Sequence, residues 1–311
     1  MKTILLAIGG NSLITDSKHA TVPDQYAAVV ETVSHIADLL AENRVVITHG
    51  NGPQVGFILL RSEHSRGILH PVPLDSIGAD TQGAIGYQIQ QALQNELLRR
   101  GLKKAVATVV TQTLVDRDDP AFQKPSKPIG GFYTREQAED RMRVEKWDMV
   151  EDAGRGWRRV VASPKPKRII EADVIKHLVD AGYVTIAAGG GGIPVVQDKD
   201  GNLTGAAAVI DKDLASAVLA AEIGADTLVI STAVPKVCIH FGKPNQTALD
   251  ELTVEEAQHY IAERHFAAGS MLPKIQACIT FLNNCGAEAI ITNPESLSLA
   301  IKGKAGTRIY R

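Results

Sequence analysis

Three glycine-bearing turns and two lysines carry the features that could do chemistry in this chain of 311 residues. Gly9-Gly10-Asn11 follows a short apolar run, and His49-Gly50-Asn51-Gly52-Pro53-Gln54 follows RVVIT. Gly189 to Gly192, continued by Ile193 and Pro194, comes after YVTIAA. A strand that ends in glycines and feeds a helix turns bare backbone N–H groups toward an anion, and the helix dipole adds partial positive charge. Asn11 and Asn51 add side-chain donors without adding charge. One such turn means little. Three at strand ends point to a ligand, because open α/β sheets bind ligands outside the carboxyl ends of their strands. The lysines are Lys212, in Asp211-Lys212-Asp213 at the start of a helix-like stretch, and Lys274, in a helix opened by Gly269-Ser270-Met271-Leu272-Pro273. Lysine in a first helical turn opposes the dipole, so Lys274 makes sense if an anion lies between them.

The other phosphate-handling motifs are missing. The chain has no G-x-x-x-x-G-K-[ST], and no G-x-G-x-x-G follows its first strand. The H-R-D and D-F-G pair and the G-x-S-x-G elbow are absent as well. What remains is phosphoryl transfer by positioning and charge compensation.

The elements that must position these residues alternate along the chain. Six apolar, β-branched runs recur: KTILLAI, RVVIT, AVATVV, YVTIAA, DTLVIS and EAIIT. Such runs suit a parallel sheet covered on both faces. Residues 24–42 place Val29, Val30, Val33, Ile36, Ala37 and Leu40 on one helical stripe, and residues 82–100 read as a helix stopped by Gly101. The alternation predicts an α/β fold with right-handed crossovers. Residues 116–168 break the rhythm with Pro120, Pro125, Pro128, Pro164, Pro166 and both tryptophans, and predict a subdomain or lid inserted into one larger domain.

Composition narrows the partners. With 33 basic and 35 acidic residues the formal charge is −2, so no basic field points to nucleic acid or an anionic membrane. No apolar run approaches the ~20 residues of a bilayer span. The opening MKTILLAIGG reads as a buried strand rather than a signal peptide, since no small-residue cleavage site follows it. Cys238, Cys278 and Cys285 lack metal-ligand spacing and predict reduced thiols in a cytoplasmic protein.

Read together, GGN, THGNGPQVG, PSKPIG, EDAGRGWRRVVASPKP, GGGGIP, AVIDKDLAS, FGKPNQ, GSMLPKI and GKAGT resemble carbamate kinase, within the amino-acid-kinase superfamily, over nearly the whole chain and in order. The resemblance implies a three-layer αβα sandwich around a mainly parallel sheet, a small protruding subdomain at 116–168 and a homodimer. It also implies reversible transfer between carbamoyl phosphate and ADP (ATP and carbamate in reverse), run toward ATP as in arginine catabolism. Mg²⁺ would be held mainly by the nucleotide phosphates, with no protein metal ligands.

Residue by residue, the resemblance has Gly9, Gly10, Asn11, Gly50, Asn51 and Gly52 cradle the phosphoryl group and the carbamate side. Lys212 and Lys274 would neutralise phosphates, Asp213 would hold those lysines, and Lys127 would reach in from the subdomain. Ala233, Val234, Lys236 and Met271 would border the adenine. Carbamate is already an anion, so no general base is needed. About five negative charges on carbamate plus ATP would meet about five positive ones on Mg²⁺ and three lysines.

Four positions depart from the family pattern: Pro235 beside the adenine pocket, Asp80 near the substrate side, Ser12 after GGN and Gly131 after PIG. They leave open a paralogue with another acid substrate. A kinase for an acylated amino acid and a non-catalytic sensor of nucleotide or carbamoyl phosphate are the further alternatives. His49 reads as orienting its glycine turn, Trp147 and Trp157 as a small core, and Cys278 as packing. Arg155, Arg158 and Arg159 read either as guides for anions or as a solvated cluster.

Overall fold

The computed structural model describes residues 1–10, 13–14, 18–152, 154–284 and 286–311, so Asn11, Ser12 and Cys285 lie outside the described residues. All six apolar runs enter one eight-stranded sheet. Its spatial order is Glu251–Thr253, Thr307–Tyr310, Glu288–Thr292, Thr227–Ser231, Thr3–Ile8, Arg44–His49, Val184–Ile186 and Val106–Thr108. Six strands run parallel, and the first two, at one edge, run the opposite way.

The period-two alternation of the central strands divides the core between two faces. Ile4, Leu6, Ile8, Val45 and Ile47 pack with Val29, Val33, Ile36 and Leu40 of helix Val22–Leu40 and with Ile85, Ile89 and Leu93 of helix Leu74–Arg99. Leu5, Ala7 and Val46 point the other way, toward helices Ala172–Asp180, Lys212–Glu222 and Met271–Asn284. Each such fully buried Leu or Ile contributes about 1.5–3 kcal/mol. The result is the expected three-layer α/β sandwich.

Helix Leu74–Arg99 begins eight residues before the expected position 82. Gly78, Gly83 and Gly86 lower the local helix propensity there, but Leu74, Ile77, Thr81 and Gln82 are buried and tertiary packing prevails. Gly86 is required by close approach, since a Cβ would lie 2.4 Å from Thr108 Cγ2.

Residues 116–168 include a three-stranded antiparallel sheet, Lys127–Tyr133, Gly156–Val161 and Asp148–Asp152, crossed by helix Arg135–Glu145. It has its own small cluster of Ala138, Trp147 and Met149, flanked by Tyr133 and Trp157. Arg159 lies 4.2 Å from the Trp147 ring centroid, a cation–π contact. The unit is braced against helix Gly52–His64. Arg141 pairs with Glu63 at 2.9 Å, and Arg66 pairs with Glu145 at 2.6 Å. Gly56 also packs against Gly130, where a Cβ would sit 3.1 Å from the Gly130 Cα.

Gly192 shows how tightly the third glycine turn is built. Its backbone lies at φ 85°, ψ 162°, a region that only glycine occupies readily, and a Cβ would lie 2.0 Å from Thr113 Oγ1. Gly192→Ala is expected to destabilise the protein by roughly 3 kcal/mol or more, read as a lower urea midpoint with unchanged slope. A midpoint equal to that of the unmodified protein would contradict this packing.

Candidate active site

The parallel strands deliver all three glycine turns to one end of the sheet. Gly9 and Gly10 follow strand Thr3–Ile8, and Gly50 to Gly52 follow Arg44–His49. The Gly50 N–H donates to the Ile8 carbonyl at 3.2 Å. A Cβ on Gly50 would lie 3.7 Å from the Gly10 nitrogen and 3.9 Å from the Lys212 side chain, so two turns and a lysine meet there.

Side chains lock the turns together. The Thr81 hydroxyl donates to the Gly78 carbonyl at 2.8 Å, which leaves its oxygen to accept from Asn51 Nδ2 at 2.9 Å. Gln82 Nε2 donates to the Thr111 carbonyl at 2.9 Å and to the Gly189 carbonyl at 3.2 Å, while its Oε1 accepts from the Thr111 N–H at 2.8 Å. His49 Nδ1 donates to the Gly50 carbonyl at 2.9 Å. Burial lowers the His49 pKa to about 4, against the opposing pull of that hydrogen bond. The ring is therefore neutral near pH 7 and holds the turn rather than acting as a base poised there.

The third turn is mainly a packing joint. A Cβ on Gly189 would lie 2.3 Å from His49 Nε2, one on Gly190 2.1 Å from Asn51 Nδ2, and one on Gly191 2.7 Å from the Ile210 carbonyl. These glycines let the second turn and the segment before Asp211 approach closely.

Beside the turns, a buried carboxylate binds two ammonium groups. Lys212 Nζ donates to Asp213 Oδ1 at 2.6 Å, and Lys274 Nζ donates to Asp213 Oδ2 at 2.9 Å. Side-chain exposure is 4% for Asp213, 13% for Lys212 and 14% for Lys274. Burial alone would raise the Asp213 carboxyl, but the two ammonium charges override it and hold it at about 2. Desolvation lowers Lys212, with Asp213 opposing and the Lys274 charge adding to the fall. Two cations on one anion leave a net positive charge in a partly desolvated place.

Asp211 ties the third lysine to this group. Its Oδ1 caps helix Lys212–Glu222 by accepting the Asp213 N–H at 3.0 Å, while Oδ2 accepts Lys127 Nζ at 3.0 Å. Thr48 and Ser216 hydroxyls bond each other at 2.6 Å, and Ser216 Oγ donates to the Lys212 carbonyl. Sequence reading assigned no role to Asp211, although its place just before a helix is an N-cap signal. Thr81, Gln82 and Thr111 gave no local signal, because their partners lie far away in sequence.

Two cavities flank the triad. A small one, of about 130 Å³, is lined by Gly50, Asn51, Gly52, Lys127, Gly190, Asp211 and Lys212, with Val55, Ile129, Val209 and Ile210 as apolar wall. A larger one, of about 400 Å³, is lined by Ala233, Val234, Lys236 and Met271 together with Lys274. Lys236 is paired with Asp250. Thus Lys127 and Lys212 face one cavity, Lys274 faces the other, and Asp213 joins them. Gly9 and Gly10 line neither, though Gly10 borders Gly50. Asp80 and Pro235 also line neither, and Asp80 is exposed on its helix. Arg155 pairs with Asp152, Arg159 stacks on Trp147, and Arg158 lines a third cavity, so none of the three lines either cavity beside the triad. Among the described residues no group of three His, Cys, Asp or Glu could hold a metal ion, and no helix is long and apolar enough to cross a membrane.

Asp213→Asn leaves two buried ammonium groups uncompensated, with an expected cost of about 3–5 kcal/mol at pH 7 in urea unfolding. Because the folded carboxyl is held down at about 2, its stabilisation is complete above its unfolded value of 3.8 and is lost as pH falls through 2. The gap between parent and variant should therefore close over that window. A gap that stays constant from pH 6 to pH 2 would contradict the pairing.

Comparison with known proteins identifies the family. A family model described as the amino acid kinase family matches residues 2–293. The chain is 53% identical to the carbamate kinase-like protein YahI of Escherichia coli, over 99% of this chain and 98% of that one. It is 47% identical to the carbamate kinase of Thermococcus kodakarensis, over the full length of both. The carbamate kinase of Giardia lamblia bound to AMP-PNP superposes with a TM-score of 0.94 at 41% identity, covering 99% of this chain and 98% of that one. The family model and the full-length likeness show that the chain belongs to the amino acid kinase family, in its carbamate kinase branch.

Proposed function

We propose that this kinase transfers a phosphoryl group reversibly between carbamoyl phosphate and ADP. The carrying observation is the Asp213 carboxylate held between Lys212 and Lys274 at the boundary of a small polar-and-apolar cavity and a larger one. Carbamoyl phosphate would lie in the smaller cavity against Gly50, Asn51, Gly52 and Lys127, and the nucleotide in the larger one. An oxygen of the ADP β-phosphate attacks phosphorus, the bond from phosphorus to the carbamate oxygen breaks, and carbamate leaves as an anion. No proton moves, which suits a site whose one buried histidine is neutral and hydrogen-bonded.

The lysines supply the term that matters. The net positive charge left on the triad is complemented by the charge on the transferring group, in a preorganised and partly dry place. Lys127, paired with Asp211, would turn to the substrate anion. Magnesium would be carried by the nucleotide phosphates. When bound it supplies further charge neutralisation. The wall of Val55, Ile129, Val209 and Ile210 offers no cation for a distal carboxylate, which speaks against an acylated amino acid.

A second reading, a homologue acting on another small acid, rests on the 53% and 51% identities to two proteins named carbamate kinase-like, YahI and YqeA of Escherichia coli. The direction toward ATP follows the family resemblance.

ATP formation from ADP and carbamoyl phosphate, followed by a coupled assay, tests the proposal. Turnover should require magnesium, and Lys212→Ala or Lys274→Ala should each lower kcat by roughly 10²–10³. Full turnover in either variant, or tight binding of carbamoyl phosphate with no ATP formed, would overturn it. Turnover with acetyl phosphate in place of carbamoyl phosphate would favour the second reading.

A further inference from the structure

A third cavity, of about 560 Å³, lies away from the lysine triad, between helix Gly52–His64 and strand Lys127–Tyr133 of the inserted sheet. Its walls are largely apolar and aromatic, with Phe57, Leu60, Phe132 and Tyr133, and Arg158 is the one charged residue that lines it. This size and mixture are typical of a small-molecule site.

Two independent observations single it out. The first is Arg158. One guanidinium nitrogen, Nη2, donates to the Gly130 carbonyl at 3.2 Å, and the group lies 5.3 Å from the Phe132 ring centroid. Its Nε is buried and has no hydrogen-bond partner, and no carboxylate is ion-paired to it among the described residues. The neighbouring Asp152 is taken by Arg155. A guanidinium held in place by one carbonyl and an aromatic face, near an Asp152 already paired with Arg155, has donor capacity left for an anion.

The second is Gly131. Gly130 needs to be glycine, with φ +70°, and so does Gly56, which abuts Gly130. Gly131 has neither constraint: its φ is not positive, and a Cβ would meet nothing within 4 Å. Glycine inside a strand weakens it, and its recurring use is to leave room for something that approaches. Gly131 lines the cavity, and a Cβ there would have open space around it.

We propose that this cavity is a second ligand site, which takes a small monocarboxylate with an aromatic or branched apolar body. The carboxylate would pair with Arg158, and the body would fill the space over Gly131 between Phe57 and Phe132. The site has a direct mechanical link to the glycine turns, because Gly52 lines both this cavity and the small polar one. Occupancy would brace the inserted sheet against the helix that begins at that turn. The inference does not depend on which acid is phosphorylated.

Phenylacetate is a suitable probe and neutral phenylacetamide its control, with binding followed by calorimetry on the full chain. Phenylacetate should bind more tightly than phenylacetamide. Arg158→Gln should weaken phenylacetate by about 10–100-fold and leave phenylacetamide unchanged, as expected for loss of a charge-assisted hydrogen bond. Gly131→Val, whose Cβ would have no neighbour within 4 Å, should weaken both ligands while ATP formation without them stays at the parent level. No phenylacetate binding at millimolar concentration, binding unaffected by both variants, or displacement by carbamoyl phosphate would each overturn the proposal.

Discussion

One buried carboxylate shared by two ammonium groups governs the site. Asp213 is almost fully enclosed, and such a group is tolerated only when its charge is matched and its lone pairs are used. Lys212 and Lys274 do both, at 2.6 and 2.9 Å. The arrangement overshoots by one positive charge. That excess is unfavourable for the empty protein and favourable for an anion that arrives between the cavities, so the electrostatics are set before substrate binds.

The sheet exists, in this view, to bring the three glycine turns and the two lysine-bearing helices to that point. Parallel strands end together, so the turns at Gly9, Gly50 and Gly189 share one rim although they are far apart in sequence. Helices Lys212–Glu222 and Met271–Asn284 lie on one face of the sheet, packed through Ala217, Ala220, Ile275 and Cys278, which fixes the two lysines relative to each other. Cys278 belongs to that packing, and burial pushes its thiol well up. Helix Leu74–Arg99, on the opposite face, reaches the rim with Thr81 and Gln82 and pins the second and third turns. Asp211 does the same for the inserted sheet by holding Lys127.

Much of this was readable from residue types. The six apolar runs announced the parallel sheet because strands buried on both faces cannot alternate with polar residues. Gly50 and Lys274 could be flagged because glycines at a strand end bare backbone N–H groups and a lysine in a first helical turn opposes the dipole, and each implies an anion. The purpose of Gly189 to Gly192 was less readable. A glycine needed for anion contact and one needed for close packing look alike in sequence, and here His49, Asn51, Ile210 and Thr113 fill the space. The early start of the long helix was hidden by Gly78, Gly83 and Gly86, whose cost is offset by burial of Leu74 and Ile77. Arg155 sits in the turn before strand Gly156–Val161 and Arg158 and Arg159 are neighbours within it, and only the fold shows that they serve three different partners.

Charge complementarity to the group in flight, rather than to the nucleotide at rest, is the central claim, and a transition-state mimic addresses it most directly. Affinity for magnesium-ADP would be measured with and without fluoroaluminate and carbamate, in the parent and in Lys212→Met. The expected result is an increment in affinity from fluoroaluminate that falls by roughly 10²–10³ in the variant, while ADP alone binds as before. An increment of the same size in both proteins would contradict the claim.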